Sequence, residues 1–307
     1  MDAKILSQSV TKSQLMEQVE SISRKNITEN DFRLLDKLII RIGDAVRSNE
    51  LDKSDIAIIN RSFGNEFLMN TLQGHALRKP QGYAGDYMII DKIYTYHHSE
   101  IEKFKIWDKY AHTHSSLKAV RNRKKYFKSK MHHKIDNASD KLDLLNLASG
   151  PARDVKELYD EIDNKNKLLT TCVDLDSDAL AFAKKLNSEH SSYIEFINAN
   201  ILRFKTEKKF DVVWSAGLFD YFNEKAFIMV LSRMKEWVKP GGEIIIGNFN
   251  ERHNPSRDFM EIMGEWFLQH RTEEELVTLA MKAGYNFTQV NIGREPENVN
   301  LFLHIKC

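Results

Sequence analysis

The stretch LDLLNLASGPARD, residues 142–154, decides the fold class of this chain. An apolar run ends in a turn of small residues, and the turn leads directly into a helical pattern. In a parallel sheet this junction places a tight loop and a helix N-terminus at the carboxyl end of a strand, where such sheets bind ligands. Small side chains leave room for a cofactor against the backbone of this loop, at Ala148, Ser149, Gly150 and Ala152.

From residue 142 onward, apolar runs alternate with amphipathic helical patterns, which predicts an α/β fold with helices on both faces of a largely parallel sheet. The last two strands have no helix between them, so we expect an antiparallel edge hairpin. Ser177 and Thr272 are predicted N-caps, Thr272 with Glu275 as a capping box, and Gly284 is a predicted helix end. The predicted strands are 142–147, 168–173, 193–197, 211–214, 243–248, 287–292 and 300–305, and the predicted helices are 154–162, 178–186, 225–238, 258–269 and 273–283.

The first part of the chain is patterned as helices from Ile5 to about Ile135. We therefore predict a helical N-terminal cap or substrate domain over residues 1–138, followed by an α/β domain over residues 139–307. The pattern of residues 101–132 predicts one long helix or a pair of helices. The segment HALRKPQGYAGDY, residues 75–87, holds a proline, two glycines and two tyrosines. Such a composition predicts a structured loop. Within it, residues 82–87 hold aromatic side chains and a carboxylate between glycines, which is costly for a spacer and predicts a lid over the cofactor that also shapes the acceptor pocket.

Composition excludes several classes of protein. The chain has 307 residues, 42% apolar and 29% charged, with a net charge of +1, as in ordinary globular proteins. With this net charge, the protein has no overall electrostatic field that would attract nucleic acid or a membrane surface. The N-terminal residues lack the apolar core of a signal peptide, and no apolar run is long enough for a membrane span. Cys172 and Cys307 make no disulfide framework. We expect a cytoplasmic protein, with export by a dedicated system left open.

Polar segments follow four of the predicted strands. After the small-residue loop comes Asp174, which is placed to accept two hydrogen bonds from a ribose diol, while Asp176 is expected to start a helix. Residues 198–201 are placed to edge an adenine ring, and SAGLFDYF, residues 215–222, follows the next strand. A dinucleotide fingerprint needs three glycines, but Arg153 occupies the third position, which disfavours NAD.

Over residues 142–307 this order and spacing resemble the class I S-adenosylmethionine-dependent methyltransferases, which have a doubly wound, seven-stranded Rossmann-like sheet. The resemblance implies that the first loop holds the methionine end of S-adenosylmethionine, that Asp174 holds the ribose, and that the third strand end frames adenine. Asn146 and Asn200 stand where acids are common in that family, and alanines replace two loop glycines. The cofactor-binding residues so implied are Ala148, Ser149, Gly150, Pro151, Asp174, Leu175, Asn200, Ile201, Ser215, Ala216 and Gly217.

A narrower resemblance extends along the whole chain. It rests on GYAGDYMIIDKIY, VRNRKKY, NLASGPARD, GLFDYF and GNFNERHNPSRDFMEIMGEWFLQHRTEEEL. Together these segments are similar to the PhcB-like bacterial methyltransferases, which are associated with synthesis of the methyl ester of hydroxypalmitic acid. The resemblance implies a small or lipid-like methyl acceptor.

The acceptor decides whether the enzyme needs a general base. A carboxylate is already ionised at neutral pH and needs only orienting donors, such as Arg121, Arg257 or Tyr221. A hydroxyl or amine acceptor needs a base, for which His112 and Asp86 are the candidates. We favour the carboxylate and O-methylation. The predicted catalytic residues are thus Tyr221, His112 and Asp86, and the predicted substrate-binding residues are Tyr83, Tyr87, Arg121, Asn248, Arg257 and Arg271.

Two alternatives to this function remain open. Residues 118–134 hold eight Lys or Arg and no acid, which would suit a nucleic-acid or protein methyltransferase, although such runs are more often solvated faces. A non-catalytic S-adenosylmethionine-binding sensor or scaffold is the other alternative. We expect no metal, because the histidines at 97, 98, 112, 114, 132 and 133 have no ligand-type spacing. The oligomeric state is left open.

Overall fold

The computed structural model describes residues 11–307, so the predicted start of the helical pattern at Ile5 lies outside the described residues. A seven-stranded sheet with the order β3-β2-β1-β4-β5-β7-β6 forms the centre of the C-terminal region. The five strands β1 to β5 run parallel, whereas β7 pairs antiparallel with both β5 and β6. The strands are β1 Leu142–Leu147, β2 Leu168–Asp174, β3 Ile194–Asn198, β4 Phe210–Ser215, β5 Val238–Phe249, β6 Val290–Arg294 and β7 Asn300–Lys306.

This order confirms the α/β fold with a doubly wound sheet and an antiparallel hairpin at one edge. The strand order reverses between β1 and β4, which is the switch point where open α/β sheets bind ligands. The predicted sixth strand at 287–292 is displaced, because Phe287–Gln289 form a 3-10 turn capped by Asn286. β6 therefore begins only at Val290.

Thirteen α-helices occur within residues 11–307. Asp176, and not the predicted Ser177, is the N-cap of its helix, because its carboxylate accepts from the N–H groups of Asp178 and Ala179. The capping box of Thr272 and Glu275 is confirmed. The helices are α1 Lys12–Ser23, α2 Phe32–Arg47, α3 Lys53–Ser62, α4 Gly64–Asn70, α5 Leu72–Arg78, α6 Tyr87–Tyr94, α7 Glu102–Thr113, α8 Ser115–Asn137, α9 Arg153–Glu161, α10 Ser177–Leu186, α11 Glu224–Met234, α12 Arg257–Met263 and α13 Glu273–Lys282.

Several helix boundaries differ from the predicted ones. Residues 101–132 form a pair of helices, α7 and α8, that is interrupted at His114. The helix predicted over 258–269 ends at Met263, where Gly264 follows as its C-cap. The helix predicted over 225–238 ends at Met234, because Val238 already belongs to β5.

The sheet is covered on both faces, which is why β1 is a continuous apolar run rather than an alternating one. Alternate strand residues fall into two separate cores. One core joins Leu145, Leu147, Val213, Ile244 and Ile246 to side chains of α11 and α13, such as Phe227 and Leu276. The other joins Leu144, Cys172, Val212, Trp214 and Phe302 to side chains of α8 and α9, such as Phe127, Met131 and Val155.

The chain divides into two compact units, and each includes more than one segment. The sheet unit contains residues 86–96, 115–255 and 268–307, so it includes α6 and α8. Of the described residues, the helical unit contains 11–85 together with 97–114 and 256–267. The predicted domain boundary at residue 138 stays a prediction. No helix in the described part of the chain is long and apolar enough to cross a bilayer.

Candidate functional site

The loop between β1 and α9 has a backbone that alanine adopts only at a cost. Ala148, Gly150 and Ala152 all have left-handed conformations, with φ of 52°, 52° and 48°. For an L-residue this conformation costs about 1–2 kcal/mol. Such strain persists where the surrounding structure imposes it, and it clusters at ligand sites.

Asp174, the last residue of β2, is hydrogen-bonded to this loop. Its Oδ2 accepts from the N–H of Gly150 at 2.8 Å, and its Oδ1 accepts from the N–H of Asp176 at 3.0 Å. Burial raises the pKa of the Asp174 carboxyl above its usual range, while these N–H donors oppose the rise. A carboxylate oxygen has two lone pairs, so both oxygens can still accept from a ribose diol.

The residues of the loop fit a polar ligand. A Cβ built on Gly150 would meet only open space. Nδ2 of Asn146 and Oγ of Ser149 are buried and have no hydrogen-bond partner among residues 11–307. Unpaired buried polar atoms are costly. A polar cofactor bound beside this open, strained loop would supply the hydrogen-bond partners that the two atoms lack.

The end of β3 is braced against the end of β2. Nδ2 of Asn198 donates to the carbonyl oxygens of Asp174 at 3.1 Å and Leu175 at 2.9 Å. The side chain of Leu175 is 65% exposed and offers an apolar surface at this corner. Ile201 is buried, and Oδ1 of Asn200 accepts from the N–H of Leu202. Asn198 thus braces the residues that follow β2, and Asn200 stabilises its own turn.

The residues after β4 are held from two sides. Oγ of Ser215 donates to the carbonyl of Leu147 at 3.1 Å, which links the ends of β4 and β1. The carbonyl of Ala216 accepts from Nη1 of Arg123 at 3.0 Å. A Cβ on Gly217 would lie 3.3 Å from the same Nη1. Ser215 therefore uses its hydroxyl on the sheet, and the guanidinium of Arg123 lies at the end of β4.

Asn248 and Arg271, predicted to bind substrate, are buried and hold the turn that follows β4. Nη1 of Arg271 donates to Oδ1 of Asn248 at 2.7 Å and to the carbonyl of Phe219 at 3.0 Å, and its Nη2 donates to the carbonyl of Phe222. Asp220 in this turn accepts from the N–H of Phe249 at 2.6 Å. Asn248 and Arg271 therefore stabilise this turn through their hydrogen bonds. Tyr221 on the same turn is 44% exposed.

Three charged residues that the sequence analysis did not assign to the site are buried at the carboxyl edge of the sheet: Arg123, Asp154 and Asp220. Burial raises the pKa of Asp154 and of Asp220 to about 6. Arg123 lies in a predicted basic run, but it falls on the buried stripe of α8 that includes Val120 and Phe127. The helical period of that stripe is the sequence feature that could have revealed it.

The predicted lid segment continues into α6, which is docked on the sheet unit. Asp86 caps α6 by accepting from the N–H of Ile89 at 2.9 Å. Arg153 at the start of α9 makes a two-pronged pair with Asp91, whose second contact is 3.0 Å. The ring of Tyr87 lies 5.5 Å from that of Phe182 in α10. α6 is therefore fastened to the elements that follow the first two strands.

Three of the predicted residues belong to the helical unit: Tyr83, His112 and Arg257. His112 is 1% exposed, and its Nε2 contacts the carbonyl of His97 at 2.9 Å. Nε of Arg257 donates to Glu261 at 2.8 Å, and Tyr83 is 41% exposed. Arg121 belongs to the sheet unit, where its guanidinium lies 4.8 Å from the ring centre of Tyr96.

The basic run of α8 faces acidic side chains. Lys128 pairs with Glu157 at 3.0 Å and with Glu161 at 2.6 Å. The other pairs along this run are Lys124–Glu157, His132–Glu161 and Lys134–Glu243. Three of the eight lysines and arginines of this run are thus paired with acids within the sheet unit.

Ligand-type atoms of Asp160, Glu189 and His190 lie within 4.8 Å of one another. This is the arrangement in the described chain that could hold a metal ion. Asp160 already pairs with Lys156 at 2.6 Å, however, and with His190 at 2.7 Å. The carboxylate of Asp160 is therefore already held by Lys156 and His190.

Comparison with known proteins identifies a domain within the chain. Residues 144–242 match the family model described as a methyltransferase domain. A possible exported protein from Bordetella parapertussis is 14% identical, with 76% of this chain and 85% of that chain covered and a TM-score of 0.61. A candidate O-methyltransferase from Nostoc punctiforme is 12% identical, with 79% and 70% covered and a TM-score of 0.50. These two structures show the fold, and no curated protein matches the sequence.

The chain is therefore an enzyme that contains a methyltransferase domain. Its cofactor is S-adenosylmethionine.

Proposed function

We propose that the enzyme transfers the methyl group of S-adenosylmethionine to a small or lipid-like acceptor, and that it methylates a carboxylate oxygen. The observation that supports a small acceptor is that three of the eight basic residues of the 118–134 run, Lys124, Lys128 and Lys134, are paired with acids. A nucleic-acid groove needs cations that are available to phosphates. The PhcB-like resemblance, which remains a prediction, supports the same class of acceptor.

The cofactor supplies a methyl group on a positively charged sulfur. The protein therefore has to bind the cofactor and the acceptor, orient them towards each other, and exclude water. We assign the binding to the loop 148–151, to Asp174 with Leu175, to Asn200 with Ile201, and to residues 215–217. The hydrogen bond from Oγ of Ser215 to the carbonyl of Leu147 is 3.1 Å long and ties the end of β4 to the end of β1. Correct positioning of two reactants can supply about 7–11 kcal/mol of the barrier.

A carboxylate acceptor agrees with the surroundings of the two predicted bases. Asp86 is 1% exposed and caps α6, and His112 is 1% exposed and contacts a backbone carbonyl. An ionised carboxylate requires no proton transfer, so neither residue has to act as a base. We propose Tyr221, which is 44% exposed on the turn after β4, as the donor that orients the acceptor.

Calorimetry with S-adenosylmethionine and S-adenosylhomocysteine tests the cofactor site. We expect Asp174→Ala to lower the affinity for both ligands at least tenfold, because the variant loses the ribose acceptor and the bond to Gly150. Asp176→Ser is the matched control, since serine retains an N-cap oxygen and leaves Asp174 in place. Equal affinities of Asp174→Ala and the wild-type enzyme would contradict the site.

Transfer of a labelled methyl group to pools of fatty acids, amines and nucleic acids tests the acceptor. We expect label in base-labile esters of carboxylic acids, and little loss of rate between 50 and 200 mM salt, unlike a nucleic-acid enzyme. Label in nucleic acid with a steep salt dependence would establish the alternative. Tight cofactor binding without transfer to any pool would establish a sensor or scaffold.

We further propose that the helical residues within 1–138 contribute the substrate side of the enzyme. Retained full transfer after Tyr83→Ala and Asp86→Ala would contradict a role of this segment in covering the site. The cytoplasmic and bacterial setting expected from the sequence stays a prediction, which fractionation of the source cells would test.

A further inference from the structure

Within residues 11–307, Arg123 is a buried cation without an ion-pair partner. Its side chain is on α8, and the residue is 7% exposed. Nε donates to the hydroxyl of Tyr94 and Nη1 to the carbonyl of Ala216, each at 3.0 Å. No acid among residues 11–307 lies within 4.0 Å of the guanidinium. Since a guanidinium has five N–H donors, most of its donor capacity has no protein acceptor here. Burying an unpaired charge is costly, so an anion is the missing partner.

The guanidinium lies at the carboxyl edge of the sheet. Its contact with Ala216 is one residue past β4, and the hydroxyl of Ser215 binds the last carbonyl of β1 at 3.1 Å. Arg123 is therefore beside the strained loop that follows β1. A Cβ at Gly217 would lie 3.3 Å from Nη1, so the glycine keeps this side of the guanidinium uncovered.

Two buried acids indicate which kind of anion fits. Burial lowers the pKa of Arg123, while Tyr94, Asp220 and Asp154 raise it, so both carboxyls act on the guanidinium from beyond ion-pair distance. A purely negative acceptor would be repelled by these acids. The methionine end of S-adenosylmethionine has a carboxylate together with an ammonium and a sulfonium, so its cations would face Asp154 and Asp220 favourably.

We propose that Arg123 binds the carboxylate of the methionine end of S-adenosylmethionine. This assignment rests on the cofactor site proposed above, and it adds a residue from α8 to the loop, strand-end and turn residues named there. Tyr94 is a positioning residue, because its hydroxyl accepts from Nε and fixes the direction of the guanidinium. The carboxylate would take the N–H groups that Arg123 does not donate within the protein.

A cycle of two proteins and two ligands tests the proposal by calorimetry. The ligands are S-adenosylmethionine and its decarboxylated analogue, which lacks only the carboxylate. We expect Arg123→Met to weaken binding of S-adenosylmethionine about 10- to 100-fold and to change binding of the analogue less than about threefold. Equal weakening for both ligands, or undiminished binding of S-adenosylmethionine, would overturn the proposal.

Arg271→Met is the matched control, because Arg271 is as buried as Arg123 but donates to carbonyl oxygens of the turn after β4. We expect it to leave the ratio of the two affinities at the wild-type value. Circular dichroism checks the folding of each variant. Should Arg123→Met fail to fold, Arg123→Lys and Tyr94→Phe take its place, and we expect the ratio to fall at least threefold in both. A wild-type ratio in both would overturn the proposal.

The outcome also separates the cofactor from the acceptor. Normal cofactor affinity in Arg123→Met with a raised KM for a carboxylate acceptor would place the guanidinium at the acceptor and overturn the assignment. Because the cycle uses cofactor alone, failure to find any methyl acceptor leaves it unaffected. Failure of the cofactor site itself would appear separately, as unchanged binding in Asp174→Ala.

Discussion

At the scale of single residues, the loop after β1 shows that alanine can occupy backbone positions where glycine is usual. Ala148 and Ala152 occupy left-handed positions that glycine adopts without strain. The sequence shows that alanines replace glycines there, but not that the backbone stays the same. The methyl groups differ in their surroundings, because Ala152 is completely buried and Ala148 is partly exposed. Because of this difference, we expect substitution by glycine to change the free energy of unfolding differently at the two positions.

We expect Ala148→Gly to raise the free energy of unfolding by up to about 1 kcal/mol. Relief of the left-handed conformation gains about 1–2 kcal/mol, and the freedom of glycine in the unfolded chain costs about 0.5–1 kcal/mol. Ala152→Gly loses a buried methyl group in addition, so we expect no gain there. Urea unfolding measures both variants. Destabilisation by Ala148→Gly would show that the methyl group of Ala148 is required for packing.

Asp154 and Asp220 give the fold an unusual pH dependence. Burial raises the pKa of each carboxyl to about 6 in the folded state, above the ordinary value of 3.8 in the unfolded chain. The protonated form is therefore favoured by folding. The penalty is fully present above pH 6 and is relieved as the pH falls from 6 towards 3.8. Glu243 acts in the opposite direction, because pairing with His304 and Lys134 outweighs burial and lowers its pKa to about 2.

Asp220→Asn tests this dependence, because the amide oxygen can still accept from the N–H of Phe249. One such carboxyl makes the wild-type protein about 1.4 kcal/mol more stable at pH 5 than at pH 7.5. We expect Asp220→Asn to remove that share of the difference, as measured by urea unfolding at both pH values. Asp178→Asn, which changes an exposed acid, should retain the wild-type difference. An unchanged difference in Asp220→Asn would contradict the buried, titrating carboxyl.

At the scale of elements, α6 is fastened to the loop region by the pair of Arg153 and Asp91. The side chains are 19% and 15% exposed, so removing one partner leaves a charge that is only partly solvated. We expect Asp91→Asn to cost about 1–3 kcal/mol locally and to speed hydrogen exchange of the Ile90 and Ile93 amides. Lys156→Met breaks a more exposed pair on the same side of α9 and should have little effect on α6. Unchanged exchange in Asp91→Asn would show that apolar packing alone holds α6.

The sequence predicts elements well where burial sets the pattern. β1 is found at the predicted residues, because a strand covered on both faces is apolar throughout. The prediction fails at Phe287, where apolar and polar residues alternate over a 3-10 turn that only Asn286 and Gln289 reveal. The sequence leaves Arg123 undecided, because a run of lysine and arginine resembles a solvated face although single arginines in it could reach inward. The pairing of that run with α9, which lies distant in sequence, is not visible without the fold.

At the scale of the whole molecule, α8 is part of the core of the sheet unit although it precedes β1 in sequence. Phe127 and Met131 are 0% and 1% exposed, and Ile135 is 4% exposed. All three lie in one core with Leu144 and Trp214 of the sheet. A cut at the predicted boundary of residue 138 would remove these side chains and leave one face of the sheet covered only by the helices that follow β1 and β2.

We therefore expect a fragment of residues 139–307 not to fold, in contrast to the full chain. Burial of one such side chain contributes about 1.5–3 kcal/mol, so the three together match much of the net stability of about 5–15 kcal/mol that domains possess. Near-ultraviolet circular dichroism and the cooperativity of urea unfolding measure the outcome. The variant Phe127→Ala of the full chain is the milder control, with an expected loss of about 3–5 kcal/mol. A fragment that unfolds as cooperatively as the full chain would show that the sheet domain begins after α8, as the sequence pattern alone predicts.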